Sequence, residues 1–454
     1  MGFLADLRNP TFGRLLFPET GEIFSPAEIR ARVESRKSEF HAQGIEPGAR
    51  VLYPAHSTVG TLVDLFALWS LEACVCLFDP RASAWERTRF LQASCANCFW
   101  NGMVLEKIAS TSEPAHWQKF KNPALISFSS GSSGTPKAVV HGREGLEGRI
   151  FSLQKGLSFR AEKAALCLLP LSFVHGLLSN SLTPWLAGLD LALLAPPVSA
   201  RLGVVSASVD RYEIDFLSST PSFWTLVNKF GIEPPVRKLK RLNCGSAPLS
   251  VTGHEMMQKW GAPGSLWGSY GLTEFGTWVG GGKLDTYRVS PVDECWGVEH
   301  KIEEGQLYLR SPHAMQGYLG HEPLPAGWFP TGDLAQASGE GFTVSGRISS
   351  FINVAGAKVD PLEVVEALKL RFPGISEAVA VGIPHDIYGE VVAVAFVADS
   401  SIEESALRSE MRNGLSAAKV PRYWTQVKEL PMLRNGKVNF TELKELFLKK
   451  KAEL

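Results

Sequence analysis

Residues 127–142 read SFSSGSSGTPKAVVHG, and the reading of this stretch decides how the rest of the chain is understood. From Ser129 to Lys137, five positions carry hydroxyls (Ser129, Ser130, Ser132, Ser133 and Thr135), and Gly131 and Gly134 carry no side chain. Glycine lets backbone amides approach an anion, successive amides form an anion-binding nest, and a lysine adds a mobile positive charge. The loop is suited to a polyphosphate. Apolar triplets flank it, Ala124-Leu125-Ile126 before and Ala138-Val139-Val140 after, so strand, loop, strand is expected rather than a flexible Ser/Gly linker. Two other motifs do not fit. The phosphate loop G-x-x-x-x-G-K-[ST] needs a hydroxyl after its lysine, where Ala138 stands. The hydrolase elbow G-x-S-x-G is one residue longer than Gly131-Ser132-Ser133-Gly134.

The chain has 454 residues, enough for two or three domains, and its 45% hydrophobic content is that of ordinary folded protein. With 46 basic and 46 acidic residues, nothing in the charge balance suggests nucleic acid or an acidic membrane as partner. Met1 to Asn9 carries charges and no long apolar core, so no secretory signal is read there. The most apolar regions, 61–79 and 164–198, are interrupted by Asp64, Glu72, His175, Pro184 and Asp190, which argues against a membrane span. A cytoplasmic protein is expected. The seven cysteines fit reduced thiols. Cys74-Val-Cys76 with Cys95-Ala-Asn-Cys98 could supply four zinc ligands, but the first pair lies in the apolar run Ala73–Phe78, and a buried strand is the favoured reading.

Ser25-Pro26-Ala27-Glu28 is a capping box with proline at the first helical position, opening a helix toward Gly44. Short apolar strands at Val51–Tyr53 and Val75–Phe78 bracket a helical stretch near 58–71. The alternation resumes with strands at Ala165–Leu169, Leu191–Leu194, Phe216–Ser219 and Leu242–Cys244, and a helix near 176–187. This is the pattern of a helix-covered, largely parallel sheet. Near Gly346 the character changes. Asp360-Pro361-Leu362-Glu363 reads as a second capping box, its helix stops at Pro373-Gly374, and strands at Ala378–Val381 and Val391–Val397 precede a helix from about Ile402 to Arg412. A tail of this length suits a small α+β domain. Lys449-Lys450-Lys451 reads as the solvated, dipole-matched end of a last helix.

Three further clusters carry chemistry. Gly268-Ser269-Tyr270-Gly271-Leu272-Thr273-Glu274 offers an aromatic face, a hydroxyl and a carboxylate suited to magnesium beside phosphates, although Tyr270 could equally be core and Glu274 a surface acid. Thr331-Gly332-Asp333 places an aspartate after a tight turn, either to accept a ribose diol or to stabilise the turn. Pro431–Lys437 presents a lysine on an Asn-Gly turn. Ser416-Ala-Ala-Lys419 matches the S-x-x-K of some serine hydrolases, but S-D-N and K-T-G are absent.

The ordered set SSGSSGTPK, YGLTE, TGD, GR and NGK resembles the adenylate-forming superfamily of acyl- and aryl-CoA synthetases, peptide-synthetase adenylation domains and luciferase, from about residue 50 to 443. The short segment before the loop is similar to the compact acyl/aryl-CoA ligases. The resemblance implies an α/β fold. Residues 1–346 would form a large multi-layer domain of helix-covered sheets plus a small β-barrel-like part, and residues 347–454 a small mobile α+β domain. It implies that Ser129–Lys137 holds the β- and γ-phosphates of ATP, that Gly245, Ser246, Ala247 and Tyr270 border adenine, and that Thr273 meets the α-phosphate. Glu274 would hold Mg²⁺, Asp333 the ribose with Arg347 nearby, and Lys437 would bridge the attacking carboxylate and the α-phosphate. The implied reaction makes an acyl-adenylate and passes it to the thiol of CoA or of phosphopantetheine, which would make an acyl carrier protein a possible partner.

Two departures bear on the hinge: Ser349 stands where Asp or Lys is usual, and Asn353 where Lys is frequent. The implied acid pocket is lined by Phe173, His175, Ser219, Thr220, Gly245, Gly268 and Gly276. Amino-acid-activating members carry an aspartate in the segment matching Leu169–Leu177, and here LPLSFVHGL has none, so an aryl or acyl acid without an α-amino group is expected. His175 would either bond a polar substituent or pack.

Overall fold

A computed structural model describes residues 2, 4, 7, 11–108, 113–129, 136–195, 201–246, 249, 251–284, 286, 291–347, 351–431 and 440–452. The chain divides into two compact units, one of residues 1–80, 91–129 and 138–348, the other of residues 81–90, 130–137 and 349–454.

The first unit holds three sheets. The largest runs Glu294–Cys295, Thr277–Lys283, Leu266–Leu272, Arg241–Gly245, Phe216–Ser219, Ala164–Cys167, Asp190–Leu193, Leu15–Phe17, Glu22–Phe24. From Leu266–Leu272 to Leu15–Phe17 every neighbouring pair is parallel. A second sheet runs Gly317–Tyr318, Lys137–Gly142, Pro123–Ser129, Cys74–Phe78, Arg50–Pro54, Cys98–Trp100, Leu105–Lys107, and the strands that flank the hydroxyl-rich loop are neighbours in it. A third, antiparallel sheet of five strands lies between Pro291 and Arg347.

Helices fill the space between the two large sheets. In Val59–Ser70 every residue from Thr61 to Trp69 is buried, which explains the apolar run in the sequence: this helix has no solvent face to make polar. Its Trp69 indole donates to the Ala124 carbonyl at 2.8 Å. Its one charge, Asp64, accepts from the Tyr53 hydroxyl at 2.7 Å and meets Arg36 Nε at 2.8 Å, so the buried carboxylate has partners on both sides. Leu146, Ile150 and Leu153 of helix Arg143–Leu157 join the same core. On the other face of the largest sheet, helices Leu202–Arg211, Pro221–Lys229 and Val251–Trp260 bury a second core around Trp224 and Trp260. The Ser25 capping box is formed, with Ser25 N–H donating to Glu28 at 2.7 Å and Glu28 N–H to Ser25 Oγ at 3.3 Å, and its helix covers Pro26–Ala42. Cys74 and Cys76 are buried on their strand.

In the second unit, strands Ile375–His385 and Gly389–Ala398 form a long antiparallel pair, joined by Ile352–Val354, Ala357–Val359 and Tyr423–Gln426. Ile375–His385 runs well beyond the segment Ala378–Val381 read from sequence, whereas Gly389–Ala398 lies close to the expected Val391–Val397. The lysines that end helix Phe440–Ala452 are not simply solvated: Lys450 donates to the Trp424 carbonyl and Lys451 to the Pro384 carbonyl at 3.0 Å. Long side chains reach carbonyls of the neighbouring strands because their hydrocarbon stems can lie along the apolar face. Glu363, at the start of helix Pro361–Arg371, accepts Lys419 at 2.9 Å, and Glu86 takes the same ammonium at 3.0 Å. Burial lowers the Lys419 pKa, but Glu363 and Glu86 outweigh it and hold the ammonium above its ordinary range. A lysine so charged is no base, and the S-x-x-K reading ends there.

Candidate active site

In an open parallel sheet, ligands bind beyond the carboxyl ends of the strands. The polar groups of this chain collect at that edge of the largest sheet: Ser219-Thr220, Gly245-Ser246 and Leu272-Thr273-Glu274 each follow directly on a strand end. Gly245 is required by its neighbour, since a Cβ there would stand 2.5 Å from Ser269 Oγ and 2.9 Å from the Ser269 carbonyl. Ser246 follows with φ +77°, a strained value for a serine and one that clusters at functional sites.

Tyr270, half-buried on Leu266–Leu272, packs edge-on against Phe342 with ring centroids 5.7 Å apart. Its hydroxyl donates to Asp333 Oδ2. Asp333 is 2% exposed, on strand Phe329–Ser338, with its N–H held by Thr331 Oγ1 at 3.0 Å and its backbone in register with Arg347. The two residues assigned from sequence to adenine and ribose thus meet. Glu274 sits on the short helical turn Thr273–Phe275, its Oε1 accepting from the Tyr318 hydroxyl at 3.1 Å. Burial, then the Glu274 charge, pushes the Tyr318 phenol up. Ser129 ends one flanking strand and the exposed Lys137 opens the other. Ser130, Gly131, Ser132, Ser133, Gly134, Thr135, Ala247, Ser349, Lys437 and the Arg347 side chain lie outside the described residues.

Of the residues read as an acid pocket, His175 opens a helix of wide π-type turns, His175–Leu182, a form that often marks functional sites. Its Nε2 accepts the Trp278 indole N–H at 2.9 Å. An indole only donates, so the proton of a neutral imidazole is on Nδ1, which lies 3.0 Å from Ser246 Oγ. Burial drives the His175 pKa down to about 4. The histidine is therefore a neutral, satisfied one. Ser219 Oγ donates to the Asn243 carbonyl and accepts from Trp224, both at 2.8 Å, so its hydroxyl is engaged internally. Thr220 caps helix Pro221–Lys229 by position, Phe173 is exposed, Gly268 is buried, and Gly276 adopts φ +62°. Trp278, Tyr318 and Arg149 were not singled out in the sequence. Each lies far in the chain from its partner, and only the glycine-rich setting of Trp278, T-W-V-G-G-G, marks it.

Residues 13–319 match the AMP-binding enzyme family and residues 364–437 the AMP-binding enzyme C-terminal domain. The chain belongs to the AMP-binding enzymes, the adenylate-forming superfamily that its motifs resemble. Among curated relatives, oxalate–CoA ligase of Arabidopsis thaliana is 25% identical over 353 residues, 72% of this chain and 68% of that protein. The 2-succinylbenzoate–CoA ligase of Staphylococcus aureus (strain JH9) is 26% identical over 334 residues, 70% and 66% of the two chains. The chain thus spans about two thirds of the length of these relatives. Among solved structures, o-succinylbenzoate CoA synthetase of Bacillus subtilis superposes with a TM-score of 0.82 at 20% identity, over 97% of both chains. The amide bond synthetase McbA of Marinactinospora thermotolerans gives 0.81 at 19%, over 98% of this chain and all of that one. These likenesses establish the fold. Among the described residues no helix is long and apolar enough to cross a membrane.

Proposed function

We propose that the chain is an ATP-dependent ligase that joins a carboxylic acid without an α-amino group to the thiol of CoA or of a carrier-protein phosphopantetheine arm. The reading is carried by the Tyr270–Asp333 hydrogen bond beside Glu274 at the carboxyl edge of the sheet, and it is supported by the CoA-ligase names of the curated relatives.

The acid's carboxylate oxygen attacks the α-phosphorus of ATP, pyrophosphate leaves, the thiol sulfur then attacks the acyl carbon, and AMP departs. Two anions must meet in the first step, so the protein's task is positioning and positive charge. Tyr270 offers its ring to adenine, with Gly245, Ser246 and Ala247 at the border. Asp333 accepts the ribose hydroxyls with Arg347 nearby, Thr273 contacts the α-phosphate, and Ser129–Lys137 holds the outer phosphates. Lys437 supplies charge for the first step. A single half-buried carboxylate, Glu274, is the donor set that suits Mg²⁺, which keeps waters and takes phosphate oxygens. Bound there, the ion would neutralise phosphate charge. The reaction is assigned to the cytoplasm, a compartment that supplies both ATP and reduced thiol.

A pyrophosphate-release screen over aryl, fatty and dicarboxylic acids, with and without CoA, tests the reading. Acid-dependent release is expected, with acyl-CoA formed only when the thiol is present. ATP turnover indifferent to every acid would refute it.

A further inference from the structure

One short segment holds Glu274 twice. The Glu274 carbonyl accepts the Met315 N–H at 2.7 Å, and its side-chain Oε1 accepts the Tyr318 hydroxyl at 3.1 Å. The segment is itself fixed. Gln316 N–H donates to the Val140 carbonyl at 2.8 Å, Leu319 N–H to that of Ala138 at 2.9 Å, and Tyr318 stands opposite Val139. The phenol therefore ties the carboxylate to strand Lys137–Gly142, the strand that follows the hydroxyl-rich loop. Phe275, 1% exposed and 5.9 Å from Phe329 between ring centroids, anchors the turn that carries Glu274. The phenol is a neutral partner. Among the described residues Glu274 meets no cation: Arg149, whose Cγ would lie 3.6 Å from a Cβ at Gly276, gives its terminal nitrogens to the Trp278 and Trp296 carbonyls. A lysine or arginine on Glu274 would cancel the charge that a metal needs, whereas a phenol fixes the side chain and leaves the charge in place.

We propose that Tyr318 is a positioning residue for the metal carboxylate: its hydroxyl occupies Glu274 Oε1 and leaves Oε2 to the Mg²⁺ that accompanies ATP. This deepens the ligase reading and rests on it. Mg²⁺ demands near-ideal octahedral geometry and takes few protein oxygens, so a carboxylate with one oxygen engaged and its orientation fixed suits it better than a mobile one. Partners one step removed from a metal commonly contribute about 10- to 100-fold in metal affinity.

The test measures nucleotide binding rather than turnover. The full chain is titrated with α,β-methylene-ATP by calorimetry, once with Mg²⁺ and once with EDTA, and the ratio of the two affinities gives the gain due to the metal. Wild type should show such a gain, and Tyr318→Phe should lose about tenfold or more of it while the metal-free affinity stays within about twofold of wild type. Glu274→Gln should lose the gain as well. Adding Tyr318→Phe to Glu274→Gln should cost nothing further, because the phenol acts through the carboxylate. A gain that Glu274→Gln removes and Tyr318→Phe leaves intact overturns the proposal and spares the ligase reading. An equal loss with and without the metal also overturns it, since a merely structural tyrosine would give that result. If neither variant changes the gain, Glu274 is not the metal ligand and the proposal falls with that assignment. If wild type binds the nucleotide in neither condition, the ligase reading itself falls.

Discussion

The hydroxyl of Tyr270 donates to the carboxylate of Asp333, 63 residues further along the chain and on a different sheet. Tyr270 therefore orients the carboxylate assigned to ribose. A hydrogen bond to a charged group contributes about 1.5–3 kcal/mol, roughly tenfold to a hundredfold in affinity. Asp333→Ala should raise the KM for ATP within that range, and Tyr270→Phe by less, because it leaves the carboxylate in place. Wild type should bind 2′,3′-dideoxy-ATP poorly. Equal KM values for ATP and the dideoxy compound would remove Asp333 from the ribose site.

Much of this arrangement was legible in the sequence, for physical reasons that differ by element. The Ser25–Glu28 box is a local pattern whose hydrogen bonds close within four residues, so it reads directly. Strands such as Cys74–Phe78 are short buried apolar runs. The His175–Trp278 bond spans 103 positions, and the Tyr318–Glu274 bond depends on where strand Gly317–Tyr318 pairs. No spacing rule encodes such meetings. His175 could be read either as a ligand-binding or as a packing residue until its two partners were seen. Residues 81–90 carry no motif that the sequence reading picked out, yet they cluster with the second unit, where Trp85 packs against its core.

Lys437 is assigned to adenylation alone. Lys437→Ala should cut acid-dependent pyrophosphate release by roughly 10², the scale for one preorganised electrostatic contact. Given a synthetic acyl-adenylate, the same variant should still acylate the thiol at near wild-type rate. Stopped-flow measurement of both half-reactions checks this, and a parallel fall in the two would contradict the assignment.

Lys419 pairs with two buried carboxylates, Glu86 at 3.0 Å and Glu363 at 2.9 Å. Glu86 also closes a reciprocal cap with Ser83, whose hydroxyl donates to the Gly414 carbonyl at 2.9 Å. Removing one partner of a buried ion set costs about 3–5 kcal/mol. Lys419→Met should destabilise the chain by that amount in urea unfolding. Replacing Glu363 with Gln in the same background should recover part of the loss, because it removes one of the stranded charges. No recovery would mean that the lysine acts through packing.

Burial pushes the Asp64 carboxyl up to about 6 despite its bonds to Tyr53 and Arg36. A folded-state pKa above the ordinary carboxyl value of 3.8 favours the protonated form in the native state. Its contribution is fully present below the unfolded value and is lost as pH rises through about 6. Relative to Asp64→Asn, wild type should therefore lose roughly 3 kcal/mol of stability between pH 3.5 and pH 7, from about two pKa units at 1.36 kcal/mol each. Chemical unfolding of both proteins across that range measures the difference. A flat difference, or one of opposite sign, would show that the pair with Arg36 dominates.

The central claim is that the acid's own carboxylate attacks the α-phosphorus of ATP. A carboxylic acid labelled with ¹⁸O in both oxygens, turned over with unlabelled ATP and CoA, tests it directly by mass spectrometry of the nucleotide product. The account requires AMP carrying one ¹⁸O atom per turnover, with the pyrophosphate unlabelled. Label in inorganic phosphate accompanied by ADP, or AMP with no label, would contradict it.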